Sequence, residues 1–533
     1  MNKKLFLGLS LLLALPLSAQ DIYKLELMSG EDLNGTARFV GMGGAMSSLG
    51  ADISTMGTNP AGIGLYRRSD ISLSGGFVSQ PSAQDFAGRG KTHASFDQAG
   101  FVYSAKLGGS VKYFNFGFNY HKRRNLNSFA GASGDLGGLS QSLEMLDLAQ
   151  GLDLTNIGDR GYTTPLTRGG YDTHMLDDEA DADGNWTGSY TPVSSQSYAY
   201  NRARWGGVQQ YDFNFAMNVN DVFYAGLTLG LYHVDINSRT DYAEAVINTS
   251  NNTVHDYFMS TTEALTGSGY DVKLGMIFRP IEDSPFRFGV AVHTPIFFDL
   301  TSRQDLYMSA PFQQFDDDGN VTKEYTEKMF SRDAIGDNSY KVRTPWRFNL
   351  SAATTIGNYL ALDAEYEYRN FSASQVRYGE TRWDDWGGPY KSSYKDDDIC
   401  QQAKQYLKPV STFRIGLEAK PVKNVSLRVG YNYETAPMSK KAFLNLLTPN
   451  TSAYYYACNT DYVNLGAINR VTFGVGFKAS HFYCDFAYQY QNQKGDLYAF
   501  HVPTATSNED NRLTPAKVDF SRHQALLTLG YRF

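Results

Sequence analysis

The chain has 533 residues, with 48 lysines and arginines against 55 aspartates and glutamates and a formal net charge of −7. This acidic balance disfavours a nucleic-acid partner, and three cysteines are too few for a disulfide-based scaffold. Aromatic residues make up 14% of the chain and glycine occurs 50 times. Such a composition suits a barrel with tyrosine at the membrane interfaces and glycine at crowded inward positions.

The chain begins with the parts of a secretory signal. Residues 1–4 include two lysines, 5–15 are apolar, and Leu17-Ser18-Ala19 supplies the small residues of a cleavage site before Gln20. We predict a signal peptide at 1–19 without a lipid anchor, because no cysteine follows the site. After Gln20 no stretch has the roughly 20 apolar residues that a transmembrane helix needs. The mean hydropathy is also negative, at −0.39. The sequence therefore excludes a helical membrane protein.

Residues 20–69 follow neither a strand nor a helix pattern. The segment is rich in glycine, as in Gly41-Met42-Gly43-Gly44 and Asn59-Pro60-Ala61-Gly62, yet it is too apolar for a solvated tail. We predict that it forms a compact plug, or hatch, inside a barrel made by residues 70–533. The glycines would allow tight turns and a close approach of the backbone to the wall. The alternative is an ordinary periplasmic N-terminal arm.

From residue 70 onwards, an alternation with a period of 2 recurs along the chain. In 114–121, for example, aromatic residues at even positions alternate with polar or small residues at odd positions. One oily face and one polar face indicate lipid outside and water inside. We place about fourteen strands, each close to the ~9–11 residues that cross a bilayer at a tilt, near 70–78, 98–107, 111–121, 208–219, 222–235, 268–279, 286–294, 344–354, 358–370, 410–420, 423–434, 468–479, 481–493 and 520–533.

The connections alternate in length, which is a second sign of an outer-membrane barrel. The short connections lie at 108–110, 220–221, 356–358, 421–423 and 479–480. The long ones lie at 122–207, 295–343, 371–409, 435–467 and 494–519. We therefore predict an all-β fold, a transmembrane antiparallel β-barrel with short periplasmic turns and long extracellular loops. It would be a multi-pass protein of the outer membrane of a Gram-negative bacterium.

The C-terminal strand, 523–533, alternates and ends in an aromatic residue, Phe533. We expect the barrel assembly machinery to recognise this end, and the barrel wall to contact the lipid bilayer and lipopolysaccharide. A secreted all-β sandwich is the alternative, but it would bury its apolar face and have more even loop lengths.

The chain resembles the FadL family of outer-membrane transporters for long-chain fatty acids and other hydrophobic compounds. The shared features are the small-residue and glycine run at 35–51, the hatch motif Asn59, Pro60, Ala61 and Gly62 ahead of the first strand, the strand number and Phe533. The resemblance implies passive uptake without a cofactor. A hydrophobic ligand would enter through an extracellular groove, and movement of the hatch would open a route out, in that family through a lateral gap in the wall.

Other functions remain open at this point. A PorV-like barrel, which binds protein partners in type IX secretion and transports no lipid, shares the glycine-rich start and the Asn-Pro-Ala region. The long outward loops of the present chain favour ligand capture instead, and the predicted plug disfavours a general porin. A TonB-dependent transporter would need ~22 strands. An enzyme is not expected, because His121, His233 and His293 do not form a recognisable Ser/His/Asp arrangement.

Two sets of residues are candidates for ligand contact. In 138–149, Leu139, Leu143 and Leu146 have helical spacing. They either pack against the barrel rim or a neighbouring loop, or form one wall of a groove through which the ligand enters. Five arginines fall on polar strand faces and pair either with a ligand carboxylate or, more often in such lumens, with acids such as Asp363, Glu365 and Glu418. These arginines are Arg279, Arg287, Arg347, Arg414 and Arg428.

No metal site is expected. Residues 179–184 resemble the start of a calcium loop, but the twelfth position is Tyr190 where a glutamate is needed, and 316–319 lack the alternation of ligands. Cys400 and Cys458 lie in neighbouring predicted loops, and they either form a disulfide or never meet. Cys484 falls on the lipid face by parity.

Overall fold

The structure is a computed structural model that describes residues 22–149, 164–182, 186–248, 253–281, 284–315, 321–330, 337–383, 388–439, 442, 458, 462–501 and 513–533. The predicted signal peptide and the acidic residues 316–319 lie outside these ranges.

Fourteen antiparallel strands close into one barrel. They are β1 Asp70–Ser79, β2 Thr92–Lys106, β3 Val111–Asn125 with Ser128–Asp135, β4 Ser194–Val219, β5 Phe223–Asn248, β6 Thr253–Phe278, β7 Arg287–His293 with Phe297–Phe315, β8 Asp337–Arg343 with Arg347–Ile356, β9 Leu360–Asn370 with Gln375–Trp383, β10 Pro409–Val422, β11 Val425–Glu434, β12 Tyr462–Ala479, β13 Phe482–Tyr498, and β14 Ala516–Asp519 with Arg522–Arg532. Asp70 of β1 lies opposite both Val102 of β2 and Arg532 of β14. The sheet therefore has no free edge, and the predicted barrel class is confirmed.

The two faces of the wall have opposite polarity. Leu274, Phe473 and Leu529 point outward, and each is about half exposed. Their neighbours in sequence, such as Lys273, Thr472 and Thr528, point inward and are buried. An apolar exterior around a polar interior is stable only in lipid, so the barrel spans the outer membrane.

The long connections are shorter than the sequence indicated. Residues 122–207 were expected to form a loop, but β3 continues to Asp135 and β4 begins at Ser194. Strands β4, β5 and β6 each contain 26 residues. This expectation was wrong because a strand that leaves the lipid no longer needs an apolar outer face. The alternation therefore ends, although the hydrogen-bonded ladder continues.

Strands β7 and β8 are interrupted at matching Thr-Pro sequences, Thr294-Pro295 and Thr344-Pro345. Proline has no N–H to donate to the ladder. The threonine hydroxyls accept bonds there instead, from Val272 N to Thr294 Oγ1 (3.0 Å) and from Ile296 N to Thr344 Oγ1 (2.8 Å). The wall is thus bent but stays hydrogen-bonded at this point.

The helices lie inside the barrel or at its outer end. They are α1 Ile22–Ser29, α2 Ala37–Gly41, α3 Ser142–Ala149, α4 Pro165–Asp172 and α5 Asp397–Tyr406, with 3₁₀ turns at Ile53–Gly57, Pro60–Leu65 and Phe371–Ala373. Two further strands, Val321–Phe330 and Pro389–Lys395, extend the sheet beside β7 and β9. Leu176–Ala180 and Trp186–Pro192 pair with each other in a separate hairpin. Among the helices of the described residues, none is long and apolar enough to cross a membrane.

The cysteines are unpaired. Cys400 lies in α5, where its Sγ is 3.9 Å from the carbonyl oxygen of Val376, whereas the Sγ of Cys458 is 2.7 Å from Gln304 Oε1. The disulfide alternative is therefore wrong, because both cysteines are buried as free thiols and contact different residues. Cys484 pairs across the sheet with Leu529 on the outer face, as its parity predicted.

Candidate functional site

The N-terminal segment, residues 22–65, lies inside the barrel and bonds to strands on opposite sides of it. Ala37 N donates to Thr528 Oγ1 of β14 (2.7 Å), and Ser48 Oγ is 2.7 Å from Ser351 Oγ of β8. On a third side, Asn214 of β4 donates to the carbonyl oxygen of Pro60 (3.3 Å). The expected N-terminal plug is confirmed as a feature of the fold. The limits of the hatch at 20 and 69, and its ability to move, stay predictions.

Two polar side chains fold the middle of the segment into tight turns. Thr36 Oγ1 accepts a bond from Phe39 N (3.1 Å) and so caps α2. The same hydroxyl donates to Asp52 Oδ1 (2.8 Å), which also accepts from Ser54 N (3.0 Å) and caps the following 3₁₀ turn. One capping network therefore joins α2 to the next turn and makes the segment a single packed unit.

The hatch motif packs against glycines of the barrel wall. Asn59 Oδ1 accepts from Ala61 N (3.1 Å), and Asn59 Nδ2 donates to the carbonyl oxygen of Met276 (3.3 Å). A Cβ on Gly275 would lie 2.8 Å from Pro60 Cδ, and one on Gly226 would lie 2.5 Å from Ala61 N. We call the three wall glycines beneath this turn the glycine seat. They are Gly226 of β5, Gly275 of β6 and Gly289 of β7.

Sequence reasoning did not find the glycine seat. Each of its glycines has inward parity on a predicted strand, flanked by residues such as Ala225 and Leu227 that point outward. An inward glycine opposite a plug predicts a close approach of the backbone, so the signal was present in the sequence.

Two carboxylates of β9 hold another turn of the N-terminal segment by its backbone. Glu365 accepts from Met46 N (2.6 Å) and Ser47 N (2.5 Å). Asp363 accepts from Ser48 N (3.1 Å) and Leu49 N (2.8 Å). Together the two side chains accept four backbone N–H bonds from this turn. These carboxylates therefore fix the turn without needing a particular side chain on it.

A ring of arginines surrounds the part of the segment that follows α1. We call it the arginine collar, and its members come from six different strands: Arg123, Arg124, Arg347, Arg369, Arg414, Arg470 and Arg522. Glu31 pairs with Arg347 and with Arg123 Nη1 (3.1 Å), and Asp32 pairs with Arg522 Nη2 (2.8 Å). The collar thus binds two acids of the N-terminal segment.

Three of the five arginines predicted from the sequence pair with acids, and the other two bond to backbone carbonyl oxygens. Arg347 and Arg414 both pair with Glu367, at 3.7 and 3.0 Å, and Arg428 pairs with Glu418 at 2.7 Å. Arg287 donates to the carbonyl oxygen of Leu49 (2.9 Å), and Arg279 bonds to carbonyl oxygens near the β4–β5 and β6–β7 turns. The pairing of lumen arginines with acids is therefore confirmed.

Apolar side chains fill the lumen on the outer side of the collar. We call this set the inner apolar cluster, and it includes Ile22, Leu25 and Met28 of α1, Tyr232, Phe298 and Leu300 of the wall, and Ile399, Ala403 and Tyr406 of α5. A second set, the outer apolar cap, lies nearer the outer strand ends. It includes Met145, Leu148 and Ala149 of α3, Leu166 of α4, and Tyr242, Tyr257, Leu306, Met308 and Phe500.

The predicted groove residues lie at the edge of the outer apolar cap. Leu139, Leu143 and Leu146 are half-buried and pack against it. Leu139 precedes α3, because this helix begins at Ser142 rather than at 138. The structure therefore joins the three leucines to an apolar cluster and leaves part of each accessible from outside.

Buried carboxylates tie the outer apolar cap together. Glu144 of α3 accepts from Tyr462 Oη (2.5 Å) and His501 N (3.1 Å). Glu244 of β5 accepts from Ser140 Oγ (2.7 Å) and Gln141 N (2.7 Å). Burial raises the pKa of the Glu144 carboxyl to about 7. The bonds between α3 and the rest of the cap therefore depend on pH.

We expect the outer apolar cap to be more stable at pH 5.5 than at pH 8. Glu144 binds its proton more tightly in the closed cap, where its pKa is about 7, than in an open cap, where the ordinary value is 4.5. The stabilisation of the closed cap by protonated Glu144 is complete below pH 4.5. It is lost as the pH rises through 7, and the loss reaches about 3 kcal/mol. Hydrogen exchange of 136–149 at the two pH values measures this. The Glu144→Gln variant should lose most of the difference, and an equal pH dependence in both proteins would contradict the assignment.

The histidines and acids of the lumen show no catalytic arrangement. His293 Nε2 is 2.9 Å from the carbonyl oxygen of Thr58, and His121 is 3.8 Å from Asp212. Within the described residues, no group of histidines, cysteines and acids could hold a metal ion. On the periplasmic side, Arg38, Asp52 and Glu418 line a cavity of about 330 Å³ between the N-terminal segment and the wall.

Solved structures with a similar fold come from other bacteria. One is the toluene transporter TbuX of Ralstonia pickettii, with 15% identity and a TM-score of 0.45 over 94% of this chain and 99% of that one. Another is a FadL homologue of Pseudomonas aeruginosa, with 13% identity and a TM-score of 0.48 over 94% and 99%. The toluene transporter TodX of P. putida has 14% identity and a TM-score of 0.44 over 94% and 99%.

The chain is a plugged outer-membrane barrel. No protein-family model and no curated protein matches the sequence.

Proposed function

We propose that this protein is a passive transporter of the outer membrane that takes up long-chain fatty acids or other small hydrophobic compounds. The supporting observation is the apolar filling of the outer part of the lumen, formed by the inner apolar cluster and the outer apolar cap. A water-filled porin has a polar lumen. Apolar side chains facing the interior of a barrel suit a ligand that is itself apolar.

The energetics of such a ligand favour capture without an energy source. Burial of each CH₂ group contributes about 0.8 kcal/mol, so a long acyl chain gains several kcal/mol on leaving water. Leu139, Leu143 and Leu146, which are half-buried at the edge of the outer apolar cap, offer the first contact. From there the ligand would replace the packing of α1 within the inner apolar cluster.

In this proposal residues 20–69 act as the hatch. The N-terminal segment fills the lumen between the inner apolar cluster and the periplasmic end, and a ligand passes only when part of it moves. Interaction with secretion partners, as in a PorV-like barrel, is not favoured, because the interior apolar surface is not exposed to a protein partner.

Two contacts of the barrel with its surroundings belong to the same proposal. Phe533 is 60% exposed beside the periplasmic ends of the strands, where the barrel assembly machinery would bind it. The apolar outer face contacts bilayer lipid, and the outer strand ends would meet lipopolysaccharide.

Extraction of the purified protein tests the proposed function. We expect organic extracts of the detergent-exchanged barrel to contain fatty acids or another hydrophobe, enriched over an unrelated barrel prepared identically. Cells that produce the protein should also take up the enriched compound faster, and Leu143→Gln with Leu146→Gln should slow uptake at low ligand concentration. No enriched compound and no gain of uptake would refute the proposal.

A further inference from the structure

The arginine collar has more positive charge than the barrel wall itself neutralises. Among the described residues, four of the seven arginines pair with wall carboxylates, which are Glu365, Glu367 and Glu434, so the collar has an excess of four cations over these acids. Four of the seven collar side chains are almost fully buried, namely Arg123, Arg347, Arg369 and Arg470, each at most 5% exposed. Buried charges without partners are strongly destabilising, so the wall needs anions from elsewhere.

The N-terminal segment supplies two of these anions. Asp32 pairs with Arg522 (2.8 Å) and also accepts from Asn125 N (2.8 Å), and Glu31 bridges Arg123 and Arg347. Burial alone would raise the pKa of the Glu31 carboxyl, but the guanidinium groups of Arg347 and Arg123 lower it well below its usual range. Both acids are therefore charged counterions of the collar.

The collar also borders an apolar surface on its outer side. Arg123 lies 5.8 Å from the ring centre of Tyr232, and Arg369 lies 5.3 Å from that of Phe371. Along β9 and the turn that follows it, Glu367 and Arg369 are followed outward by Phe371, Val376 and Tyr378 of the inner apolar cluster. A cationic ring beside an apolar cluster has the polarity of a site for an amphiphilic anion.

We propose that the arginine collar is an anion site that Glu31 and Asp32 occupy in the closed protein, and that the carboxylates of acyl-chain ligands replace these two acids. The inference rests on the proposed function and adds the ligand's chemical class and the event that frees the N-terminal segment. One ligand carboxylate replaces each acid, so Arg123, Arg347 and Arg522 keep an anionic partner during the exchange. A neutral hydrocarbon offers no such replacement and leaves the segment bound.

Charge-removing variants of the full-length barrel test this exchange. Glu31→Gln with Asp32→Asn should bind dodecanoate at pH 8 at least tenfold more tightly than the wild type, with unchanged affinity for dodecane. Asp485→Asn is the matched control, because Asp485 pairs with Arg428 (2.6 Å) beside the periplasmic cavity. Glu31→Gln alone should already tighten dodecanoate binding, whereas Asp485→Asn, which removes the same single negative charge away from the collar, should leave the affinity for dodecanoate unchanged.

The outcomes separate this inference from the proposed function. A dodecanoate affinity of the double variant within twofold of the wild type overturns the collar as an anion site. If the wild type binds neither dodecanoate nor dodecane, the proposed function is refuted. The collar inference is tested separately, because it still predicts that the double variant binds dodecanoate. If the double variant does not fold, the inference is tested by hydrogen exchange of residues 26–36 in the wild type. Dodecanoate must accelerate exchange and dodecanol must not, and equal rates with both overturn the inference.

Discussion

Replacing Gly275 by alanine is expected to dislodge the Asn59-Pro60 turn from the wall and to raise the ion conductance of the reconstituted barrel several-fold. The added Cβ would overlap Asn59 Oδ1 and lie 2.8 Å from Pro60 Cδ, closer than real side chains come. Strand β6 is bonded along its length to β5 and β7 and has little freedom to yield. The turn therefore has to move, and water and ions follow it. Single-channel recording in planar bilayers measures the effect.

A second glycine provides the control for this prediction. A Cβ on Gly379 of β9 would meet no atom within 4 Å, so Gly379→Ala should conduct like the wild type. Adding Gly226→Ala to Gly275→Ala should increase conductance further, because both glycines lie under the same turn. If Gly275→Ala and Gly379→Ala conduct equally, the glycine seat does not hold the plug.

A disulfide between the N-terminal segment and the wall is expected to reduce ligand uptake to background. Ser48 Oγ and Ser351 Oγ are 2.7 Å apart, so cysteines at both positions place two sulfur atoms within bonding reach. Oxidation of Ser48→Cys with Ser351→Cys would then fix the turn at 46–49 to β8. If uptake requires this turn to move, oxidation stops uptake and a reductant restores it. Uptake of labelled fatty acid by intact cells, with and without reductant, measures the effect.

The matched control is a disulfide that joins only wall strands. Ser79 Oγ of β1 and Thr92 Oγ1 of β2 are 2.6 Å apart and exposed at the outer end of the barrel. Cysteines at these positions should leave uptake unchanged after oxidation. Full uptake by the oxidised Ser48–Ser351 variant would show that the ligand passes without movement of this turn.

The membrane-spanning part of the wall could be predicted from the sequence because lipid and lumen impose opposite polarities on neighbouring residues. The alternation at 114–121 predicted the pairing surface of β3 correctly, with Asn115 and Asn119 buried inside. The same argument failed for 122–135 and 194–207, where both faces of the strands leave the lipid. Hydrogen-bonded strands in water carry no such signature.

The lumen contacts could be predicted only in part. Arg347 and Arg414 were recognisable as inward residues from their parity, but the site that they form is built from six strands. Nothing in the local sequence around Arg123 or Arg522 indicates that they meet Glu31 and Asp32. Such contacts depend on the stagger of the whole barrel, which a single strand does not reveal.

The length of β4, β5 and β6 determines where a solute first meets the protein. Strands of 26 residues, at about 3.3 Å per residue and a tilt of about 40°, rise roughly 65 Å along the barrel axis. The apolar band of such a barrel is only about 25 Å tall. More than half of this side of the wall therefore extends into water beyond the membrane. A compound that enters at its top is drawn from the surrounding medium rather than from the outer leaflet, so delivery depends on the compound's aqueous concentration.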